Sequence, residues 1–485
     1  MKTPIFEKKS YCNPLSIPNC PMGDNYGYDA LWYTEEPRLD FRSISDPSVL
    51  YYDNKWYLYP SYGMCFVSED FATFKHVRTE PYNIGYSPSV IPHRDRFLLT
   101  AHSNGLFIGD SPTGPFEFVG DFIKPSGSRI RPIDSALFAD DDGRIYIYWF
   151  EQTPPDARGN FVAMTMGVEL DGDDPRKFLT DPVVIHKFNP DNLWERGGSD
   201  NQNENFGWIE GQWMVKHNGR YYMIYSAPGT QYRSYCMAAY YSDEGPLTGF
   251  KLQKNNPFCE HRRGVVSGAG HGCVQHGPDN TLWAFYTITS CATHPNERRI
   301  GMDRVWVNED GELCCRVTDT PQIAYCDHQG TDCDSGLLPV NVMLRDRCRA
   351  SSYENGRNAV YAIDESLITW WQPKEDDKEP YLMLRLDTDY TCEASRIIWR
   401  DVNMNVDVGI LPGAFRYVIE TRPNIGEGEW TTVLDMSENT DDLNVDYKAF
   451  PPTICREVRL RIVGSPQGIT PGVAEFTLFG RSVRL

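Results

Sequence analysis

The sequence predicts an all-β protein: a five-bladed β-propeller followed by a β-sandwich. Three observations predict it. A hairpin pattern recurs five times from residue 46 onward, helical periodicity is scarce along the whole chain, and near residue 326 the repeat stops and a different run of strands begins. Hairpins that return every few tens of residues, each unable to bury its apolar face alone, are the sequence form of a propeller.

The copies are DPSVLYYDNKWYLYPS from Asp46, SPSVIPHRDRFLLT from Ser87, DSALFADDDGRIYIYW from Asp134, EGQWMVKHNGRYYMIYS from Glu210 and HGCVQHGPDNTLWAFYT from His271. Each has a polar residue, a small one soon after, a short apolar run, a polar turn and an aromatic strand. Apolar runs hinged on Asn, Asp or Gly read as β-hairpins. The leading residues are separated by 41, 47, 76 and 61 positions, so the later blades carry insertions. The longest is polar, from Asp171 to Trp208, and long loops of this kind on a rigid scaffold often shape a binding site. If each copy supplies an inner strand, then Asp46, Ser87, Asp134, Glu210 and His271 share one repeat position and converge on the axis. Three are acids, and propeller packing asks for none there.

Residues 1–40, rich in Pro, Asn and Tyr, form a lead-in; residues 41–325 form the propeller, 326–345 a linker and 346–485 the sandwich. The second domain shows strands at YLMLRLD, SRIIWRDV, AFRYVIETR, WTTVLD, EVRLRIVG and VAEFTLFG. A chain of 485 residues exceeds one ordinary core. A formal charge of −20 argues against nucleic acid or an anionic membrane as partner and is compatible with neutral ligands such as sugars. The start lacks an apolar stretch of signal-peptide length, no run is long enough to span a membrane, and the 14 Cys show no CxxC spacing. Together these read as a reducing, cytoplasmic setting.

The order of D-P-S-V, then I-D-S-A-L-F with D-D-G, then E-G with N-G-R-Y-Y resembles glycoside hydrolase family 43 over roughly residues 40–310. That resemblance implies three axial carboxylates: Asp46 as general base, Asp134 as the acid that tunes and orients the proton donor, and Glu210 as general acid. It implies that His271 sits beside an axial ion reached through water, and that Arg299 contacts substrate, as Ser87 and His271 also do. Two departures stand out, Ser135 after Asp134 and Gly211-Gln212 after Glu210, where Pro is usual; they blur the substrate. By the same resemblance, the sugar is terminal α-L-arabinofuranose or β-D-xylose, with β-galactose as an alternative. Residues 346–485 are similar to the discoidin-type fold of carbohydrate-binding module family 32, through Ala350-Ser351-Ser352, Asn358-Ala359, Ala362-Ile363-Asp364, Thr369-Trp370-Trp371 and the closing EFTLFG, and the resemblance implies a jelly-roll, galactose-binding-like sandwich. Trp370 and Trp371 read as belonging partly to its core, and the domain as mainly structural.

The residues support this chemistry independently. Glycoside cleavage needs one protonated and one ionised carboxyl. A neighbouring Asp134 would keep Glu210 protonated by like-charge repulsion. Asp46, across the funnel, suits an inverting mechanism with water between base and sugar. No cofactor is needed for that chemistry; a structural Ca²⁺ on the axis, beside His271, or in the sandwich is compatible with it. The competing readings are a phosphorylase on the same scaffold, which needs a basic cluster that only Arg298 and Arg299 hint at, and an inactive carbohydrate-binding propeller.

Overall fold

The structure, a computed structural model, describes residues 4–18, 42–61, 64–81, 85–155, 157, 161–290, 297–325, 333–342, 344–405 and 408–483. Five four-stranded antiparallel sheets form the blades, each from one contiguous stretch with its strands in sequence order. Their inner strands are Ser48–Tyr52, Ser89–His93, Ile133–Ala139, Glu210–His217 and Gly270–His276. The hairpin turns follow from local chemistry. Asp53-Asn54 and Asn218-Gly219 all have positive φ, which two-residue turns matching strand twist demand.

The ring closes without a shared strand. A hydroxyl at the end of one blade's second strand instead takes the first backbone N–H of the next blade: Ser61 that of Ser87, Ser226 that of His271, and Thr287 that of Asp46. The last of these joins blade 5 to blade 1. The seam is also filled by aromatics, with Phe71 edge-on to Trp56 and Trp283 at 4.3 and 4.4 Å.

The lead-in binds both domains. Ser10–Tyr11 pairs with Gln322–Ile323 beyond blade 5, and Ile5 packs with Ala394, Tyr447 and Phe479 of the sandwich. The rest of the expected lead-in, from residue 19, lies outside the described residues. The second domain is a seven-stranded β structure. Its two longest strands, Tyr381–Val402 and Val445–Gly464, carry register shifts that let one strand serve both layers of the sandwich. Leu338–Pro339 already pairs with Thr470–Ser482, so the sandwich begins inside the stretch expected as linker. Trp371 is fully buried in its core. Trp370 is half-buried under the guanidinium of Arg357.

Candidate active site

The five blade starts share a backbone feature invisible in the residue types. Asp46, Ser87, Asp134, Gly211 and His271 have φ of 50, 52, 47, 62 and 33°, a left-handed turn at the same step of every blade. The ladder breaks agree: pairing skips between Ile133 and Ala136, Glu210 and Trp213, and Gly270 and Cys273. The residue equivalent to Asp46 and Asp134 in blade 4 is therefore Gly211, and Glu210 stands one position earlier. This corrects the expectation of a single shared repeat position. The reason is steric. A Cβ at Gly211 would lie 3.0 Å from the His271 ring, so the slot that holds an acid in blades 1 and 3 is filled in blade 4 by the imidazole of blade 5.

Asp46 is buried and held on every side. Arg298 Nη1 donates to Oδ1 at 2.8 Å, and Ser61 and Ser45 hydroxyls donate to Oδ2 at 2.6 and 3.0 Å. His271 Nδ1 lies 3.6 Å from Oδ1. Burial alone would raise its pKa, but Arg298, His271 and the two hydroxyls together hold it below the usual carboxylate range. Asp46 is an ionised acceptor.

Glu210 is the opposite case. Its Oε1 accepts from Tyr235 Oη at 2.6 Å, and its Oε2 from the indole N–H of Trp208. Its pKa is raised, first by burial and then by the charges of Asp134 and Asp46, against the lowering effect of His271 and the Tyr235 hydrogen bond. Asp134 is itself fixed by His102, whose Nδ1 lies 2.8 Å from Oδ1. Ser87 Oγ bonds His271 Nε2, so the serine orients the imidazole at the funnel floor.

The structure thus brings Asp46, Ser87, Asp134, Glu210 and His271 together. Arg299 goes elsewhere. Its guanidinium is buried against Asn444 Oδ1, at 2.8 and 2.5 Å, and the Arg42 carbonyl. Adjacent residues on a strand face opposite sides, so only one of two neighbouring arginines can reach the axis, and it is Arg298. Four site residues had escaped the sequence reading: Arg298 as the contact, His102, Trp208 and Tyr235. Trp208 had a signal, since two positions before Glu210 in extended chain means the same face; His102 and Tyr235, on other turns, had none.

Below the carboxylates lies a cavity of about 20 Å³, lined by the blade starts and by Gln212. The Gln212 amide is buried with neither its oxygen nor its nitrogen hydrogen-bonded among the described residues. This space suits about one water. A Ca²⁺ ion takes about six to eight oxygen ligands; in this wall the Ser48, Ser89 and Ser135 hydroxyls bond Pro88, Leu137 and Thr100. Asp134, Glu210 and His271 each offer an atom within 4.8 Å of the others, a spacing that could hold a cation.

Among curated proteins, the chain is 27% identical over 242 residues to the xylosidase/arabinosidase 43A of Humicola insolens, covering 45% of this chain and 67% of that one. It is 24% identical over 306 residues to the β-D-galactofuranosidase xynD of Aspergillus niger, covering 56% and 81%. Among solved structures, one described as a glycoside hydrolase aligns over 91% of this chain and 98% of its own, with a TM-score of 0.51 at 19% identity, a likeness of fold. The model of the glycosyl hydrolases family 43 matches residues 34–313, more than half of the chain and all five blades but the last residues of the fifth; the protein belongs to that family.

Proposed function

We propose that the protein is an inverting, exo-acting glycosidase that removes terminal α-L-arabinofuranose or β-D-xylose from plant-type oligosaccharides. The observation that carries this reading is the contrast between two carboxyls of one site: Asp46 clamped by Arg298 and kept ionised, Glu210 partly shielded and pressed by Asp134 toward its protonated form. Glu210 gives its proton to the glycosidic oxygen as the bond to the anomeric carbon breaks. A water adds to that carbon from the opposite face and loses its proton to Asp46. The funnel floor, closed by His271, Asp46 and Asp134 over a space for about one water, favours a chain end over a threaded polymer. The names of the relatives, a xylosidase/arabinosidase, a β-xylosidase and a galactofuranosidase, support a pentose or furanose. Arg298 is engaged by Asp46 and Arg299 by Asn444, which speaks against a phosphate site and so against a phosphorylase. An axial ion, if bound through water near His271, would be structural and enters no step.

The test is a panel of nitrophenyl pentosides with and without phosphate, followed by NMR of the first-formed sugar. Inverted configuration and indifference to phosphate are expected, and retained configuration overturns the mechanism. Glu210→Gln should abolish cleavage of natural glycosides while sparing much of the activity on aryl glycosides with activated leaving groups, which need little protonation.

A further inference from the structure

The two donors on Glu210 come from different loops and differ in kind. Trp208 lies in the extended segment leading into blade 4, with its ring stacked on Phe150 at 4.5 Å and edge-on to Phe161 at 5.6 Å. Its indole N–H reaches Oε2. An indole can only donate. Tyr235 lies at the start of the third strand of blade 4, fully buried, and its hydroxyl meets Oε1. A phenol can donate or accept.

We propose that Trp208 is a positioning residue that fixes which oxygen of Glu210 delivers the proton. The inference rests on Glu210 being the general acid. With Trp208 donating to it, Oε2 serves as the carbonyl oxygen of the protonated carboxyl, and the proton resides on Oε1. Tyr235 Oη donates to Oε1 of the carboxylate; once Oε1 carries the proton the phenol turns to accept it, and in the complex the glycosidic oxygen takes that place. The proton then passes from Oε1 to the glycosidic oxygen, the bond to the anomeric carbon breaks with its electron pair remaining on that oxygen, and the water entering at carbon passes its proton to Asp46. The carboxylate left behind keeps the Trp208 N–H on Oε2. That hydrogen bond strengthens as charge develops on Glu210, so it favours the transition state over the ground state.

The donors thus have unequal roles. Trp208 acts through the whole step, whereas Tyr235 marks the place of the leaving oxygen and yields it. Trp208→Phe keeps the ring against Phe150 and removes only the N–H. On a pentose disaccharide, kcat should fall about 10²-fold, in the range of a lost donor to a developing oxyanion, with KM little changed. On the 2,4-dinitrophenyl glycoside of the same pentose the loss should be within about threefold, because that leaving group needs little acid help. Tyr235→Phe should lower kcat by a similar factor on both substrates, without the preference for the disaccharide. Trp208→His, which retains a ring N–H, should recover part of the disaccharide rate and carries the test if Trp208→Phe does not fold. Equal losses of Trp208→Phe on both substrates, or a loss in Tyr235→Phe as selective for the disaccharide as that of Trp208→Phe, overturn the assignment. The Glu210→Gln result separates the two levels: if that variant discriminates between leaving groups and Trp208→Phe does not, the acid stands and the role of Trp208 falls.

Discussion

Asp46 and Glu210 are both carboxylic acids at the top of an inner strand, and only their neighbours give them different work. For Asp46 the decisive neighbour is Arg298. Without it, burial would no longer be offset, and the pKa of Asp46 would rise. Arg298→Met should therefore move the acidic limb of the kcat/KM profile to higher pH while the alkaline limb, which reports Glu210, stays in place. Asp134→Asn should do the reverse. Its charge helps to raise the pKa of Glu210; with the charge gone, that pKa falls, and the alkaline limb moves to lower pH as turnover drops. Measuring both variants on one aryl glycoside separates the roles. An alkaline limb unmoved in Asp134→Asn would leave Asp134 as a group that only holds His102. Which of Arg298 and Arg299 faces the axis was not legible in the sequence, because alternation fixes that one does and not which.

At the scale of the element, the repeated left-handed turn is what the blades have in common, more than any side chain. It aims the first side chain of each inner strand at the axis, and in blade 4 it falls on Gly211. The sequence showed the five hairpins, the second domain and the acids because apolar patterning and turn chemistry are local. It misplaced Glu210 by one step because the shared position in blade 4 is Gly211, which has no side chain to mark it in the pattern, and the acid beside it stands in its place. The requirement at Gly211 is testable against Gly219, which has positive φ and open space around a built Cβ. Gly219→Ala should cost roughly 1 kcal/mol of stability for the left-handed conformation alone and leave turnover unchanged. Gly211→Ala carries that cost and also presses a methyl on the His271 ring, so it should destabilise further and lower kcat as His271 leaves Ser87 and Asp46. Thermal melts and kinetics on the two variants check this; equal behaviour would show that the His271 contact relaxes freely.

In the whole molecule, the sandwich braces the base side of the active site. Arg42, buried at the propeller edge, is bidentate to Asp401 at 2.9 and 3.0 Å and also reaches Asp442 at 2.5 Å. Asn444 takes Arg299, which in turn holds the carbonyls of Arg42 and Arg298. The Arg298 N–H donates to the Ser43 hydroxyl and its carbonyl accepts from the Ile44 N–H, just before Asp46. Leu367, Ile398, Val445 and Ala474 of the sandwich join the largest apolar cluster of the propeller. We expect a domain docked this way to act on catalysis through Arg299 and the strand that carries Arg298. Asp401→Asn removes one of the two carboxylates on the buried Arg42 and leaves Asp442, so the melting temperature should fall, by less than the loss of about 3–5 kcal/mol that follows when a buried pair is broken outright. Asn444→Ala is the sharper probe, since it removes the side-chain acceptor of Arg299 and loosens the strand that aims Arg298. In folded protein, verified by circular dichroism, kcat should drop severalfold and equally on disaccharide and dinitrophenyl glycoside, because the base serves both reactions. The acidic limb should move to higher pH as Arg298 withdraws from Asp46. A variant with a lowered melting temperature, an unaltered kcat and an unmoved acidic limb would reduce the sandwich to a mechanical support, with no hold on the chemistry.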